Sequence, residues 1–576
     1  MLRTEQDRIK DIGAFDTPKN IAQFLATWAI RSPGDEVLDP GAGAGIFVEA
    51  ALERLKELGK PLGDALRQIY AVELDNKRHA DLLAKLRDRY RLQDTSHILR
   101  EDFFNIVPST DLSLEPSRAL RVDAVIGNPP YVERARLRNV RAIQRKVLSG
   151  LKERIPLHSV TDMYAYFILH STSFLRDQGR LAFIVSDTWL SMDFGKPIKE
   201  FLAKNFELKA IVGFDKRVFP DVLVRAILLL MEKKMEPNPQ NRIAFIQLRS
   251  HEAVEKLHSI LNGTSDGNGW AKVVRVQQTS LAPDESWSKY LKGSKVYFQV
   301  LQKPGMTTLG NLARVSIGLQ TLRREFYMFD PEKAQQSGIE SRFLEPIVVS
   351  PREALHLIQN KDDVCNYVLY CDLPKDKLRG TRLFDYIKLA EQQTTTPRGK
   401  RTIVKGIHNL PRIRKAGRVP WYNLKGEIER RCRGEILVPR RLYKKFVVVW
   451  NKAGVVANED FINVHPKDPL SVQALLAILN SSVGELVSRV HGQLYGGGVF
   501  DLRPDDVKGL PIMNIEQLNL EEKTRLEKAY SGFIETGDRG LIDEVVNELL
   551  GLSEQQMKRL NNEIEDLRSL SEISKG

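Results

Sequence analysis

The sequence predicts an α/β fold, a mainly parallel sheet in the first half of the chain, followed by a second domain of different texture. Three observations predict it. Between about Gly34 and Lys233, short apolar runs alternate with longer amphipathic ones, the pattern of repeated β-α-β units. A glycine-rich turn follows the first apolar run and opens a helix-like stretch. After about Gly263 the alternation stops, and irregular strands, more prolines and a basic cluster replace it.

The elements follow in order. "EVLDPGAGAG" reads as a strand and glycine turn, and "GIFVEAALERLKEL" as the helix after it. "QIYAVELD" is a second strand, "NKRHADLLAKLRDRY" a charged amphipathic helix, and "HILREDFF" the end of a third strand. "VDAVIGNPPY" is the fourth strand. Its apolar run stops at Asn128-Pro129-Pro130-Tyr131, because two prolines donate no backbone hydrogen bond to a ladder. "DMYAYFILHSTSFL" reads as a helix, "GRLAFIVS" as a strand and "KPIKEFLAKN" as a helix; "LKAIVGFD" and "RAILLLMEKK" close the sheet. "NGTSDGNG" reads as a turn-rich linker, which places a domain boundary at 262/263. A second domain is expected over 263–513. A polar helical tail with leucines at helical spacing is expected over 514–576. No internal repeat or low-complexity segment is present.

At 576 residues, with 42% apolar and 28% charged residues, the composition is that of a globular protein of two to four domains. No apolar run approaches the ~20 residues needed to span a bilayer. The polar N-terminus lacks the apolar core of a signal peptide. The three cysteines, Cys365, Cys371 and Cys432, have no zinc-like spacing and are too few for a disulfide framework. No metal is expected, and a reducing cytoplasm is the expected compartment. The net charge is +13, and its location matters more than its size. Between Arg398 and Lys445 stand 16 Lys and Arg against three Glu, a local excess of 13 that equals the whole formal charge. A localised excess is the footprint of a phosphate-binding surface; a solvated surface is the plain alternative.

The glycine turn places Asp39 at the end of the first strand, with Pro40, Gly41, Gly43 and Gly45 opening the helix. Glu73 closes the next strand, 28 residues after Gly45, where an acid can take both hydroxyls of a ribose. An adenosine-bearing cofactor is implied, NAD or S-adenosylmethionine. Three features favour S-adenosylmethionine. The spacing is Gly-x-Gly-x-Gly, not the Gly-x-Gly-x-x-Gly of a pyrophosphate loop. Asp39 would repel a phosphate but could hold the ammonium of a methionine moiety. Asp102 and Phe103 at the end of the third strand could meet the amino group and ring of an adenine. Singly, a loop carboxylate and a core aromatic are the better explanations of these two residues. In series they follow the rule that α/β sheets bind ligands at the carboxyl ends of their strands.

At this point the chain resembles the gamma-class N6-adenine DNA methyltransferases of bacterial restriction–modification systems. "GAFDTPKNIAQFL", "VLDPGAGAGIFVEAAL", "AVELD", "EDFF" and "GNPPY" stand in that family's order. "DMYAYFILHSTSFLRDQGRLAFIVSDTWL" and "KRVFPDVLVRAILLL" follow, and "LAILNSSVGELV" and "GGGVFDLRPDDVKGLPI" resemble the end of its C-terminal recognition domain. Asn-Pro-Pro-Tyr alone is shared with some RNA and protein methyltransferases; the ordered set is highly specific. The resemblance implies a Rossmann-like, seven-stranded class I methyltransferase domain, a mixed α+β DNA-recognition domain and the helical tail. It implies that Asn128 and the Pro129 carbonyl, in the turn with Pro130 and Tyr131, accept the two N–H bonds of an adenine amine flipped out of the duplex. Tyr131 and Phe219 would stack on the base. Phe15 and Thr17 would touch the cofactor, with Pro18 opening the next helix.

Double-stranded DNA is the expected partner. Arg398, Lys400, Arg401, Lys405, Arg412, Arg414, Lys415, Arg440, Arg441 and Lys444 are the expected DNA-contacting cations. Trp421 and Tyr422 invite a base-contact reading, though core aromatics fit better, and Tyr495 with Gly496-Gly497-Gly498 resembles a loop near DNA or a plain mobile turn. Such enzymes commonly act as monomers. With only about ten residues before the first cofactor motif, a separate nuclease, or none, is expected rather than a fused one. The alternatives are an RNA or protein substrate, N4-cytosine methylation, a fused restriction–modification enzyme, and a non-catalytic DNA-binding protein.

Overall fold

The computed structural model describes residues 15–570 except 92–93, 109–119, 132–139, 152, 159–160, 220–224, 354–355, 397–402 and 495–498. The chain divides into two compact units, the first running to Ser294 and the second beginning at Lys295.

The first unit is built on β1 (Val37–Asp39), β2 (Ile69–Val72), β3 (Ile98–Leu99), β4 (Val122–Gly127), β5 (Leu175–Ser186), β6 (Phe206–Phe214), β7 (Ala226–Lys233), β8 (Arg242–Leu248) and β9 (Ala271–Gln277). They form one sheet in the order β3-β2-β1-β4-β5-β7-β6-β8-β9. The strands from β3 to β5 are parallel, and β7 runs antiparallel to both β5 and β6. β4 lies in the middle of the sheet. Val122, Ala124, Val125 and Ile126 are all fully buried, so apart from half-buried Asp123 the strand is apolar rather than alternating.

The first seven strands are the expected set, but the sheet has nine. β8 pairs parallel with β6, and β9 antiparallel with β8. The expected boundary at 262/263 therefore falls inside the first unit. "NGTSDGNG" is a turn leading into the last strand, not a linker, and the units separate at 294/295. Turn residues mark a chain reversal whichever side of a boundary they stand on. The helices used below are α1 (Lys19–Ala29), α2 (Ile46–Glu57), α3 (Asn76–Tyr90) and α4 (Met163–Thr172). Pro18 stands at the N-cap of α1, where its missing N–H costs nothing.

The second unit mixes strands and helices. One five-stranded sheet joins Ala313–Ile317, Phe461–Pro466, Ile436–Pro439, Val449–Asn451 and Leu357–Ile358 in that order, and a four-stranded sheet lies within the same unit. The polar tail is not a separate element. Its helices Leu520–Thr536, Gly540–Leu549 and Glu554–Ser569 bury Leu526, Tyr530, Ile542, Val546 and Ile564 in one core with Ile436 and Ile462. The leucine stripe of the tail thus completes the second unit. Among the described residues, no single helix is long and apolar enough to cross a membrane; the apolar pair Pro469–Asn480 and Ser482–His491 is bent by 75°.

Candidate active site

The residues that follow β1, β2, β3 and β4 wall one cavity of about 600 Å³. The strand order reverses between β1 and β4, the place where open α/β sheets leave a crevice. The glycine turn forms one wall. Ala42 N–H donates to Val72 O at 2.9 Å and Gly43 N–H to Glu73 Oε2 at 2.8 Å, so the first two strand ends are tied together. Gly45 has φ +84°, and a Cβ there would stand 2.4 Å from Leu82 Cδ1, so only glycine lets α2 start this close to α3. The other oxygen of Glu73 accepts from Asp75 N–H at 2.7 Å. Each oxygen keeps a second lone pair, and the residue lines the cavity.

Asp39 is different. It is 1% exposed and lies behind the wall rather than on it. Its Oδ1 accepts from Gly41 N–H at 3.2 Å; its Oδ2 is buried with no hydrogen-bond partner. Burial pushes its pKa up to about 8, with the Glu73 charge adding and the Gly41 N–H opposing. An orphaned buried acceptor costs about 1–3 kcal/mol.

At the far end, Asp102 caps the short helix Phe103–Asn105, its Oδ1 accepting from Phe104 N–H at 3.1 Å. Phe103 is 2% exposed and packs among Phe167, His170 and Phe174, yet it also lines the cavity, so the core and ligand-wall readings are both true of it. His170 Nε2 donates to Ile106 O at 3.0 Å and fixes this turn. Burial lowers its pKa to about 4, so the ring is neutral.

The Asn-Pro-Pro-Tyr turn closes the cavity at the end of β4. The Asn128 Nδ2 donates to Phe15 O at 2.8 Å and to Thr17 Oγ1 at 3.1 Å. A carbonyl can only accept, so this contact decides which way the amide points. The Asn128 Oδ1 is left buried and without a partner, on a residue that lines the cavity. Next to it, Phe15, Tyr131 and Phe219 form a triangle of rings with centroids 5.8, 5.7 and 6.0 Å apart. The Tyr131 hydroxyl is also buried and unpartnered.

Of the residues expected from sequence, Phe15, Thr17, Pro40, Gly41, Gly43, Glu73, Asp102, Phe103, Asn128 and Pro130 line the cavity; Pro18, Asp39, Gly45, Pro129, Tyr131 and Phe219 do not. Sequence reading missed Asp75, Arg78, Lys85 and Phe167. Arg78 and Lys85 stand seven apart on α3, hence on one face, a signal present in its amphipathic pattern. Lys85 Nζ donates to Glu49 at 2.6 Å and to Ala44 O at 3.3 Å, so it braces the glycine turn.

In the second unit, the basic segment is less free than its charge count. Lys405, Arg412, Arg414 and Lys415 are exposed, the last three on a short helix anchored by buried Ile413. Arg441 and Lys444 are exposed too. Arg440 is not: Asp501 takes its guanidinium at 3.1 and 3.3 Å, so the expected DNA contact is an internal ion pair. Arg418, Arg431 and Arg433 are likewise held by Glu427, Glu345 and Glu429. Tyr422 is 1% exposed and a core aromatic, and half-buried Trp421 packs against the same core with its Nε1 donating to Glu391. Arg398, Lys400, Arg401 and the Tyr495–Gly498 loop lie outside the described residues. Among the described residues, no group of three or more His, Cys, Asp or Glu could hold a metal ion.

Comparison with known families decides the lineage. Residues 67–219 match the Eco57I restriction-modification methylase model, and residues 285–547 match the model of the C-terminal domain of the Type II methyltransferase M.Eco57I. The chain carries an Eco57I restriction-modification methylase domain and, after it, the C-terminal domain of such a Type II methyltransferase. The first match contains Glu73, Asp102 and the Asn-Pro-Pro-Tyr turn and ends on Phe219. Similar proteins include the Type II methyltransferase M.AccI of Acinetobacter calcoaceticus, 24% identical over 94% of this chain and 92% of that one. The Type II methyltransferase M.BstVI of Geobacillus stearothermophilus is 24% identical over 60% of this chain and 61% of its own. Among solved structures, the Type IIL restriction-modification enzyme MmeI in complex with DNA aligns with a TM-score of 0.56 at 12% identity, over 96% of this chain and 75% of that one, a likeness of fold.

Proposed function

We propose that this chain is a sequence-specific DNA adenine-N6 methyltransferase that takes S-adenosylmethionine as cofactor. The observation that carries this reading is the orphaned Asn128 Oδ1, left buried and without a partner on a cavity-lining residue because Phe15 O and Thr17 Oγ1 take the amide N–H bonds. An exocyclic aromatic amine is a poor nucleophile because its lone pair is delocalised into the ring. Two acceptors aimed at its two N–H bonds free that lone pair and give it a direction. Asn128 Oδ1 is one acceptor and the Pro129 carbonyl the other.

The cavity fits the cofactor. Its volume lies in the range of small-molecule sites. Glu73 would take the ribose hydroxyls, Asp102 the adenine amino group, and Phe103 the ring face. Asp39 Oδ2 lacks a partner behind the cavity wall, and would take the ammonium once the glycine turn yields to admit it. When bound, S-adenosylmethionine supplies an electrophilic methyl on a sulfonium. The side chains then have only to position and to exclude water, since no covalent adduct with the protein is needed.

The target adenine would leave the duplex and lie against Tyr131 and Phe219. The two rings are 6.0 Å apart and inclined at 63°, closer than the roughly 7 Å that a stacked base with a ring on each face requires, so they part when a base enters. The cations of the second unit would meet duplex phosphates, which supply affinity and register without reading sequence. The chain would act as a monomer, as the modification partner of a separate restriction endonuclease. The test is Asn128→Ala in single-turnover methylation of unmethylated DNA. A fall of about a thousandfold or more, with cofactor affinity within threefold of wild type, supports the assignment. Near-normal turnover by Asn128→Ala would overturn it.

A further inference from the structure

The helical tail has no role in the reading above, yet it supplies two of the three cations in the most deeply buried charge cluster described. Glu485 and Arg489 lie on the helix Ser482–His491, and both side chains are fully buried. Glu485 Oε1 accepts from Arg489 Nε and from Arg568 Nε, each at 2.8 Å. Its Oε2 accepts from Arg568 Nη2 at 2.6 Å and from Arg539 Nη1. Arg539 precedes the second tail helix and Arg568 ends the third. One carboxylate thus meets three guanidinium groups. Arg539 and Arg568 keep 23% of their side chains exposed and Arg568 also pairs with Glu565, but the Glu485–Arg489 pair is fully buried. Such a pair is costly and its replacement by apolar residues is often neutral or stabilising, so it is poorly explained as a stability device.

Arg568 Nη1 donates to Glu565, while further N–H groups of Arg489 and Arg539 lead to one loop. Arg489 Nη2 donates to Tyr443 O at 2.6 Å and Lys444 O at 3.1 Å, and Arg539 Nη2 donates to Phe446 O at 2.9 Å. Leu442 and Phe446 are each 1% exposed and pin the two ends of this short loop in the core. Its carbonyls face inward, while Arg441, Tyr443, Lys444 and Lys445 are exposed. A second observation marks the field there. His356, half-buried, has its pKa lowered first by burial and then by the charges of Lys445 and Arg539. The buried Arg489 and the partly buried Arg539 beneath surface cations repel them in the free protein. They become favourable when a polyanion lies across the surface.

We propose that the tail helices are the support of a DNA-phosphate contact, and that Arg539 and Arg568 act as positioning residues which hold the loop 441–445 through Glu485 and Arg489. The proposal rests on the DNA-binding reading and assigns it a specific loop. A rigid loop loses less conformational freedom on binding, which is what three pinned carbonyls and two buried anchors provide.

The test uses the full chain and a fluorescein-labelled duplex of arbitrary sequence, with anisotropy measured over a salt series. Arg568→Ala, Arg441→Ala/Lys445→Ala and their combination are compared with wild type. Arg568→Ala is expected to weaken binding about tenfold and to lower the salt slope by one to two, as the loop variant does, because misplaced cations release fewer counterions. The combination is expected to be little worse than the loop variant alone, since both act on one element. Amide exchange across 441–446 should quicken in Arg568→Ala. Cofactor affinity should stay at the wild-type value. Should Arg568→Ala fail to fold, Arg568→Lys is expected to give a smaller loss of the same kind. Multiplicative losses, or a wild-type salt slope in Arg568→Ala, would overturn the support role. A wild-type chain that binds no duplex at any salt would overturn the DNA reading itself, whereas unchanged exchange at 441–446 sinks only the support role.

Discussion

The cavity at the end of the parallel strands and the basic segment of the second unit treat their polar groups in opposite ways. Around the cavity, buried polar atoms are left without partners: Asn128 Oδ1 on a lining residue, and Asp39 Oδ2 and the Tyr131 hydroxyl on residues that do not line it. In the basic segment, cations that looked available have partners: Arg440 with Asp501, Arg418 and Arg431 with Glu427. The first region keeps unsatisfied acceptors at a cost in stability, the usual mark of a site waiting for a ligand. The second commits Arg418, Arg431, Arg433 and Arg440 to its own architecture. A count of charges in a sequence therefore overstates a binding surface, while an ordered set of motifs finds the cavity but also names residues, such as Asp39 and Gly45, that stand off its wall.

The largest effect that would sharpen this contrast is expected at Asp39. Asp39→Asn removes the acceptor proposed for the ammonium and should weaken cofactor binding by about 10- to 100-fold, measured calorimetrically, by loss of a charge-assisted hydrogen bond. The pH dependence has a definite sign. The folded-state pKa of about 8 lies above the ordinary 3.8, so the unliganded protein is favoured at low pH and loses stability as pH rises through that interval. The cation requires the ionised form, so cofactor affinity should rise with pH up to about 8, by at most about tenfold per unit, with a proton released on binding. Calorimetry in two buffers of different ionisation enthalpy reads that proton. A pH-independent affinity would break the assignment of Asp39.

A middle-sized effect is expected at Thr17. Thr17→Val keeps the shape but removes one acceptor that aims the Asn128 amide, and should slow methyl transfer about tenfold with little change in melting temperature. In the other region, each of Lys405, Arg412, Arg414 and Lys415 that meets a phosphate should lower the salt slope of DNA binding by about one when changed to Ala. Arg440→Ala should leave that slope unchanged and lower the melting temperature instead, because it leaves buried Asp501 without its cation. A slope change at Arg440 with no loss of stability would reverse the distinction between the regions.

What the sequence disclosed follows the same division. Asp39, Glu73, Asp102 and Asn128 were legible because each stands at the end of an apolar run, and parallel strands bring such ends to one edge. The orientation of the Asn128 amide was not, since its partner Phe15 lies 113 positions away in the chain. The pairing of Arg440 with Asp501 spans 61 positions and was equally hidden. β9 was missed because glycine and asparagine look the same before a last strand as before a linker. The tail read as helical, but periodicity alone could not say that its apolar stripe completes the second unit.

The most direct test is mass spectrometry of the nucleosides from unmethylated genomic DNA incubated with the purified chain and S-adenosylmethionine. N6-methyladenine, appearing with wild type and absent with Asn128→Ala, is the predicted result. N4-methylcytosine alone would contradict the base assignment, and no methylated nucleoside at all would contradict the proposed activity.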